Sequence, residues 1–316
     1  MTTTIHQKAL HRDSIDEQSD FALTYPASRR PSSINKQYVE DTGKDIVSRE
    51  GRDFEGSQSC NAVNFPDVLT AYESGRRNEH ILCVVIRDRS NMIYPSYEMK
   101  LQVTNATILL ARKLSLGRGG SYHFFDMTGG QSGKQLSKKS DNYLGKLRTV
   151  KSGRTEFVLV SDKSDQLELA GFLFDRLEVQ PKSAEGVDGV ISPRKLSVVI
   201  PFLNSEGHTV FNNVRNDQKD QSLTSALRGG PTGLRSDTVH TFITKSPILV
   251  NGNFRLNFRG RVTVPSIKNF QLIQDDELNN IILQFGKVDD DSFHLDFKAP
   301  FNALQAFAAA LSQFSM

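Results

Sequence analysis

Towards its C-terminal end the chain alternates apolar and polar residues with a period of two. Phe254, Leu256 and Phe258 interleave with Arg255, Asn257 and Arg259, and Phe293, Leu295 and Phe297 with His294, Asp296 and Lys298. Each segment has one dry face and one wet face, as a strand in a half-buried antiparallel sheet requires. Similar patterns predict strands over His80–Ile86, Tyr97–Val103, Phe157–Val160, Leu196–Phe202, Arg261–Val264 and Ile281–Phe285. Turn-forming clusters separate them, as at Lys151-Ser152-Gly153 and Asn251-Gly252-Asn253. Between the strands, a short helix is predicted around Asp220–Leu227.

The period changes after Lys298. Ala299–Met316 carries no charge, and Phe301, Leu304, Phe307, Leu311 and Phe314, with the alanines among them, fall on every side of a helical wheel. Pro300 suits a first helical position, and Ala and Leu favour propagation. A helix with no polar face must be enclosed. A bilayer is the weaker candidate for the enclosure, since a span needs about 20 strongly apolar residues. Here Asn302, Gln305, Ser312 and Gln313 interrupt an alanine-rich run. The preceding strands are the better cover, so the pattern predicts a mainly β fold: a closed antiparallel barrel filled by the C-terminal helix.

Composition narrows the function. Among 316 residues, 39 basic and 36 acidic side chains leave a net charge of +3, too balanced for bulk binding to nucleic acid. Any charge-driven activity must come from local clustering. Cys60 and Cys83 are the only cysteines, and the N-terminus lacks a charged-then-apolar leader, so a reducing intracellular setting is expected. Residues 1–66 are polar, rich in Ser, Thr, Asp, Glu, Arg and Gln, and too poor in apolar surface to offset their ordering entropy. Disorder is expected there, with the barrel domain spanning 67–316.

Motifs for catalysis or metal binding fail on spacing. Gly129-Gly130-Gln131-Ser132-Gly133-Lys134-Gln135 lacks the spacing of a phosphate-binding loop and the hydroxyl residue after its lysine. Asp289-Asp290-Asp291 reads as a hairpin turn, and the seven histidines show no metal-ligand spacing. No nucleophile elbow is present. The expectation is a protein with no enzymatic activity, no cofactor and no metal.

Several strings, in order, resemble the tubby-like protein family. They include Asp141-Asn142-Tyr143-Leu144-Gly145-Lys146-Leu147-Arg148, Ser192-Pro193-Arg194-Lys195-Leu196, Leu256-Asn257-Phe258-Arg259-Gly260-Arg261, Ser266-Ile267-Lys268-Asn269-Phe270-Gln271, and Phe285-Gly286-Lys287-Val288 followed by Pro300–Phe314. The match runs from about residue 76 to 316. It implies a barrel of about a dozen strands around the hydrophobic helix. It also implies binding of phosphatidylinositol 4,5-bisphosphate at the inner face of the plasma membrane, by adaptors that carry membrane receptors into cilia. Cytoplasmic, peripheral membrane residence would follow, with cilium or nucleus as further locations. Receptor cargo and intraflagellar-transport machinery would be partners of a monomeric chain.

The family's phosphate ligands map to two places. Arg112 and Lys113 follow Leu109-Leu110-Ala111, with Arg118 shortly after, and Lys146 and Arg148 lie in the Gly-Lys-Leu-Arg string. Relatives carry a denser basic run where this chain has Leu114, Ser115 and Leu116, which implies a weaker or altered headgroup preference. Arg grips phosphate by paired hydrogen bonds and Lys acts as a mobile point charge. Five basic residues at about 1 kcal/mol each, with two hydrogen bonds to charged groups, give on the order of 8 kcal/mol, a micromolar affinity before ordering costs. A nucleic-acid-binding transcription regulator using the same basic groove is the competing reading; nucleic acid is the less expected partner. For Arg259 and Arg261, around Gly260, a structural role and a bulge are expected.

Overall fold

The computed structural model describes the backbone of 22–26, and residues 79–91, 93–113, 121–129, 136–150, 155–161, 167–175, 194–202, 222–228, 239–250, 253–274 and 277–315. The elements in chain order are β1 (Ala22–Pro26), β2 (Ile81–Asp88), β3 (Ser96–Leu101), β4 (Thr107–Lys113), β5 (Tyr122–Asp126), β6 (Tyr143–Thr149), β7 (Glu156–Ser161), β8 (Glu168–Phe174) and β9 (Leu196–Pro201). They continue with α1 (Leu223–Ala226), β10 (Val239–Thr244), β11 (Ile248–Val250), β12 (Asn253–Leu256), β13 (Phe270–Ile273), β14 (Ile281–Lys287), β15 (Ser292–Phe297) and α2 (Ala303–Ser312).

Twelve strands close into one barrel, in the order β10-β13-β14-β15-β2-β3-β4-β5-β6-β7-β8-β9. Neighbours are antiparallel, and β15 pairs with β2 through Phe293↔Val85 and Leu295↔Cys83, which joins the C-terminal strands to the first barrel strand. Closure removes the exposed edges that an open sheet of this size would carry. The alternating residues do what their period predicts: Phe293, Leu295 and Phe297 join the inner core while His294 and Asp296 leave it.

The interior is occupied by α2, all ten residues of which are buried. Phe307 meets Phe124 edge-on at 5.7 Å between ring centroids, and Phe301 lies 4.8 Å from Phe242. The polar residues of this helix have local partners. Asn302 caps it: its side chain accepts from the Gln305 N–H at 2.8 Å, and Gln305 Oε1 accepts from the Asn302 N–H at 3.1 Å. Gln305 then donates to the Leu169 carbonyl at 2.9 Å, and Ser312 to the Ala309 carbonyl at 2.7 Å. This reciprocal cap sets the start at Ala303, three residues later than the first position expected for Pro300. Among the described residues, no helix is long and apolar enough to cross a membrane.

Two expectations change. Arg261–Val264 forms no strand. Arg259 (φ 50°) and Gly260 (φ 74°) turn the chain, and Leu256, Phe258 and Val262 form a small apolar cluster of their own. Val262 packs so closely on β14 that a Cβ at Gly286 would lie 2.2 Å from Val262 Cγ2. The segment clads the barrel and adds no strand to it, because Asp296 on the outer face of β15 draws in Arg261. The second change concerns the polar segment 1–66. Its residues Ala22–Pro26 form β1, which pairs with β12 in a three-stranded sheet completed by β11. The edge of β12 supplies the backbone partners that composition cannot anticipate.

A second piece of cladding among the described residues is α1, shorter than the predicted helix. Leu223 packs with Val199 and Val239 outside β8 and β9, and Arg228 pairs with the buried Glu156.

Candidate functional site

The predicted basic residues converge through strand register. β4, β5 and β6 are neighbours, and Arg112 on β4 stands opposite His123 on β5, which stands opposite Lys146 on β6. The three form one row across the sheet. Lys146 and Arg148 flank Leu147, which points into the core, so both project from the outer face, each half-buried. Arg112, Lys146 and Arg148 therefore share one outer patch although 36 positions separate the first from the last in sequence.

A bulge sets this register. Phe124 faces Gly145 while Phe125 faces Tyr143, which leaves Leu144 as the extra residue. Gly145 adopts φ 148°, and a Cβ there would fall 2.1 Å from the Val160 carbonyl oxygen on β7. Glycine is thus required one residue before Lys146.

Below the cations the same outer face is apolar. Leu110, Phe125 and Tyr143 form a buried cluster, against which Met127 and Leu136 pack. The His123 ring stacks on Tyr143 at 5.7 Å between centroids, and its Nδ1 lies 2.8 Å from the Tyr143 hydroxyl. Burial first, then the charges of Lys138 and Lys146, hold the His123 imidazole down from 6.5 to about 4. The row is therefore cationic at both ends and neutral in the middle at physiological pH.

A pH dependence follows. His240 is likewise lowered by burial from 6.5 to about 4. Between these values the unfolded chain binds the protons that the folded chain excludes, so stability is fully present above about pH 6.5 and is lost towards pH 4. The thermal midpoint should fall on acidification through that window, and His123→Leu should make the fall shallower. Parallel curves for the two proteins would exclude His123 as a contributor.

Other predicted residues sit differently. Lys113 lies one position on from Arg112 and so belongs to the alternate register, opposite Tyr122, in a row that continues to Leu147. Tyr122 and Leu147 are core residues, which places Lys113 at the barrel's rim at the end of β4. Arg118 lies outside the described residues, as do Leu114–Leu116. Asp289–Asp291 forms the β14–β15 turn, with Asp291 bound by Arg87 and Arg89 at 2.6 Å each and Asp290 by Lys287 at 3.0 Å. Among the described residues, no three His, Cys, Asp or Glu side chains converge on a metal site. Arg261 has the structural role expected of it, in its pair with Asp296.

Residue by residue, the sequence reading misses His123, Tyr143 and Lys138. The signal that would find the first two is cross-strand pairing: once β4, β5 and β6 are aligned on Ala111, Phe124 and Gly145, His123 must fall between Arg112 and Lys146.

Residues 71–316 match the Tub family. The chain is 28% identical to mouse "Tubby-related protein 3" over 310 residues, 95% of this chain and 64% of that protein. It is 29% identical to "Protein king tubby 2" of Culex quinquefasciatus over 324 residues, 96% of this chain and 72% of the relative. Identity to mouse "Tubby-related protein 1" is 34% over 245 residues, covering 74% of this chain but 42% of that protein. The chain thus spans less than two thirds of the length of some of its relatives. The matched region takes in all twelve barrel strands and the enclosed helix, and the chain belongs to the Tub family.

Proposed function

We propose that the chain binds the bisphosphorylated inositol headgroup of phosphatidylinositol 4,5-bisphosphate through Arg112, Lys146 and Arg148. Lys113 at the adjoining rim and Arg118, five positions on in the sequence, complete the set. The observation that carries this reading is the register that gathers three cations, from two strands, on one outer patch above an apolar floor. A vicinal pair of phosphates offers several negative charges in a small volume, which one isolated cation could not hold. The role is binding, without catalysis. Reversible attachment to the inner leaflet suits an adaptor that brings membrane proteins to their destination, cilia included, with other surfaces left for cargo.

The test is a vesicle panel across the phosphoinositides, run beside a duplex-DNA arm. The unaltered chain should select phosphatidylinositol 4,5-bisphosphate vesicles. Lys146→Ala with Arg148→Ala should lose about a hundredfold in affinity, since each removed cation forfeits hydrogen bonds to charged groups. Both side chains are half-buried on the outer face, so circular dichroism should be unchanged. Equal vesicle binding by the folded double variant would sink the assignment. Tight DNA binding without headgroup selection would favour a regulator of nucleic acid.

A further inference from the structure

We propose that the tip of the β2–β3 hairpin, Ile93 with Tyr94, inserts into the bilayer beside the headgroup site. The proposal rests on the phosphoinositide reading above and extends it from the headgroup to the acyl region. Ile93 is 57% exposed and Tyr94 37%. Exposed apolar residues scattered singly are ordinary on protein surfaces and by themselves mean little. Three further observations give this pair a meaning.

The first is position. Ser96, just past the tip, pairs with Arg112, and the Lys113 N–H donates to the Pro95 carbonyl at 3.4 Å. The apolar tip therefore stands at the end of β4 where two of the predicted phosphate ligands emerge. A headgroup held there brings the membrane surface to the tip.

The second is backbone satisfaction. Entry into a low-dielectric layer is costly for unpaired N–H groups. In this loop Asn91 Oδ1 accepts from both the Ile93 and Tyr94 N–H groups at 3.1 Å, and the Asp88 carboxylate accepts from the Ser90 N–H at 2.7 Å and its hydroxyl at 3.0 Å. The N–H groups of Ser90, Ile93 and Tyr94 are thus paired within the loop. An aromatic side chain with a hydroxyl, such as Tyr94, suits the headgroup–acyl boundary.

The third is charge. Two carboxylates at this end of the barrel are opposed by cations: Asp291 is bound by Arg87 and Arg89, and Asp290 by Lys287, while Asp88 is held by the Ser90 N–H and hydroxyl. An anionic leaflet then meets Arg112 and Lys113 with Asp290 and Asp291 of the nearby turn already engaged.

The chain contains no tryptophan, so Ile93→Trp creates a single fluorescent reporter. With phosphatidylcholine vesicles carrying phosphatidylinositol 4,5-bisphosphate, its emission should shift to the blue and be quenched by brominated acyl chains. Val103→Trp, in the β3–β4 hairpin at the opposite end of the barrel and 81% exposed in the unaltered chain, should be neither shifted nor quenched. Ile93→Glu should lower vesicle affinity by about tenfold, through lost apolar burial, while leaving affinity for soluble inositol 1,4,5-trisphosphate unchanged. If vesicles and soluble headgroup both bind but the reporter at position 93 is unquenched, insertion is overturned and the headgroup reading stands. If the unaltered chain binds neither, both readings fall.

Discussion

Phe307→Ala should destabilise the protein by about 3–5 kcal/mol, a large share of the about 5–15 kcal/mol that keeps an ordinary domain folded. Phe307 is fully buried at the centre of α2, its ring against Phe124 of β5, in a closed barrel whose wall cannot collapse around a void. The cost therefore includes the cavity as well as the lost transfer energy. Deleting residues 300–316 should be more severe. The deletion removes the plug and leaves the inner faces of twelve strands facing an empty interior, so the product should aggregate. Denaturant titration of the point variant, with solubility and near-ultraviolet circular dichroism of the truncation, checks both. A soluble truncated chain with a cooperative transition would show that α2 is dispensable and refute the enclosed-helix architecture.

Asp296→Ala should cost a similar amount, about 3–5 kcal/mol, by a different route. Asp296 is 1% exposed on the outer face of β15, beneath the 257–264 segment. It accepts from Arg261 Nε at 2.8 Å, from Arg261 Nη2 at 2.5 Å and from Gln284 Nε2 at 2.8 Å. The network continues from Gln284 Oε1 to Gln271 Nε2 at 3.2 Å, and Gln271 donates to the Asn257 carbonyl at 2.9 Å. Removing the carboxylate leaves a guanidinium and an amide without their acceptor and loosens the cladding over β14. Replacing both partners, as Asp296→Ala with Arg261→Met, should restore part of the loss, because no charge is then stranded. Chemical denaturation of the two single variants and the double decides it. Additive losses would mean that Arg261 and Asp296 do not act as a pair.

Both features were partly legible in the chain. The uncharged Ala299–Met316 run announces an enclosed helix, since no helix with apolar residues on all sides is stable in water. Its start was less legible: Pro300 fits a first helical position, but the reciprocal bonds between Asn302 and Gln305 satisfy orphaned N–H groups and so move the start to Ala303. Arg261–Val264 misleads for another reason. Its alternating residues satisfy the strand period, yet a period does not say whether backbone partners are available, and here Arg261 is recruited by a carboxylate 35 positions away.

The candidate site divides in the same way. Residue types and family strings pick out Arg112, Lys113, Arg118, Lys146 and Arg148 before any coordinates are known, because charge and local motif are written in the chain itself. Strand alternation and the helical plug are equally local properties, set by periods of two and of 3.6 residues. Register is a long-range property. That His123 falls between Arg112 and Lys146, that Lys113 turns to the rim while Arg112 faces outward, and that Ile93 and Tyr94 stand beside the end of β4 all depend on which strands pair and on a bulge at Leu144. Sequence periodicity is indifferent to the choice of neighbour. Closure of the barrel around α2 makes that choice, because only one set of pairings buries every inner face at once.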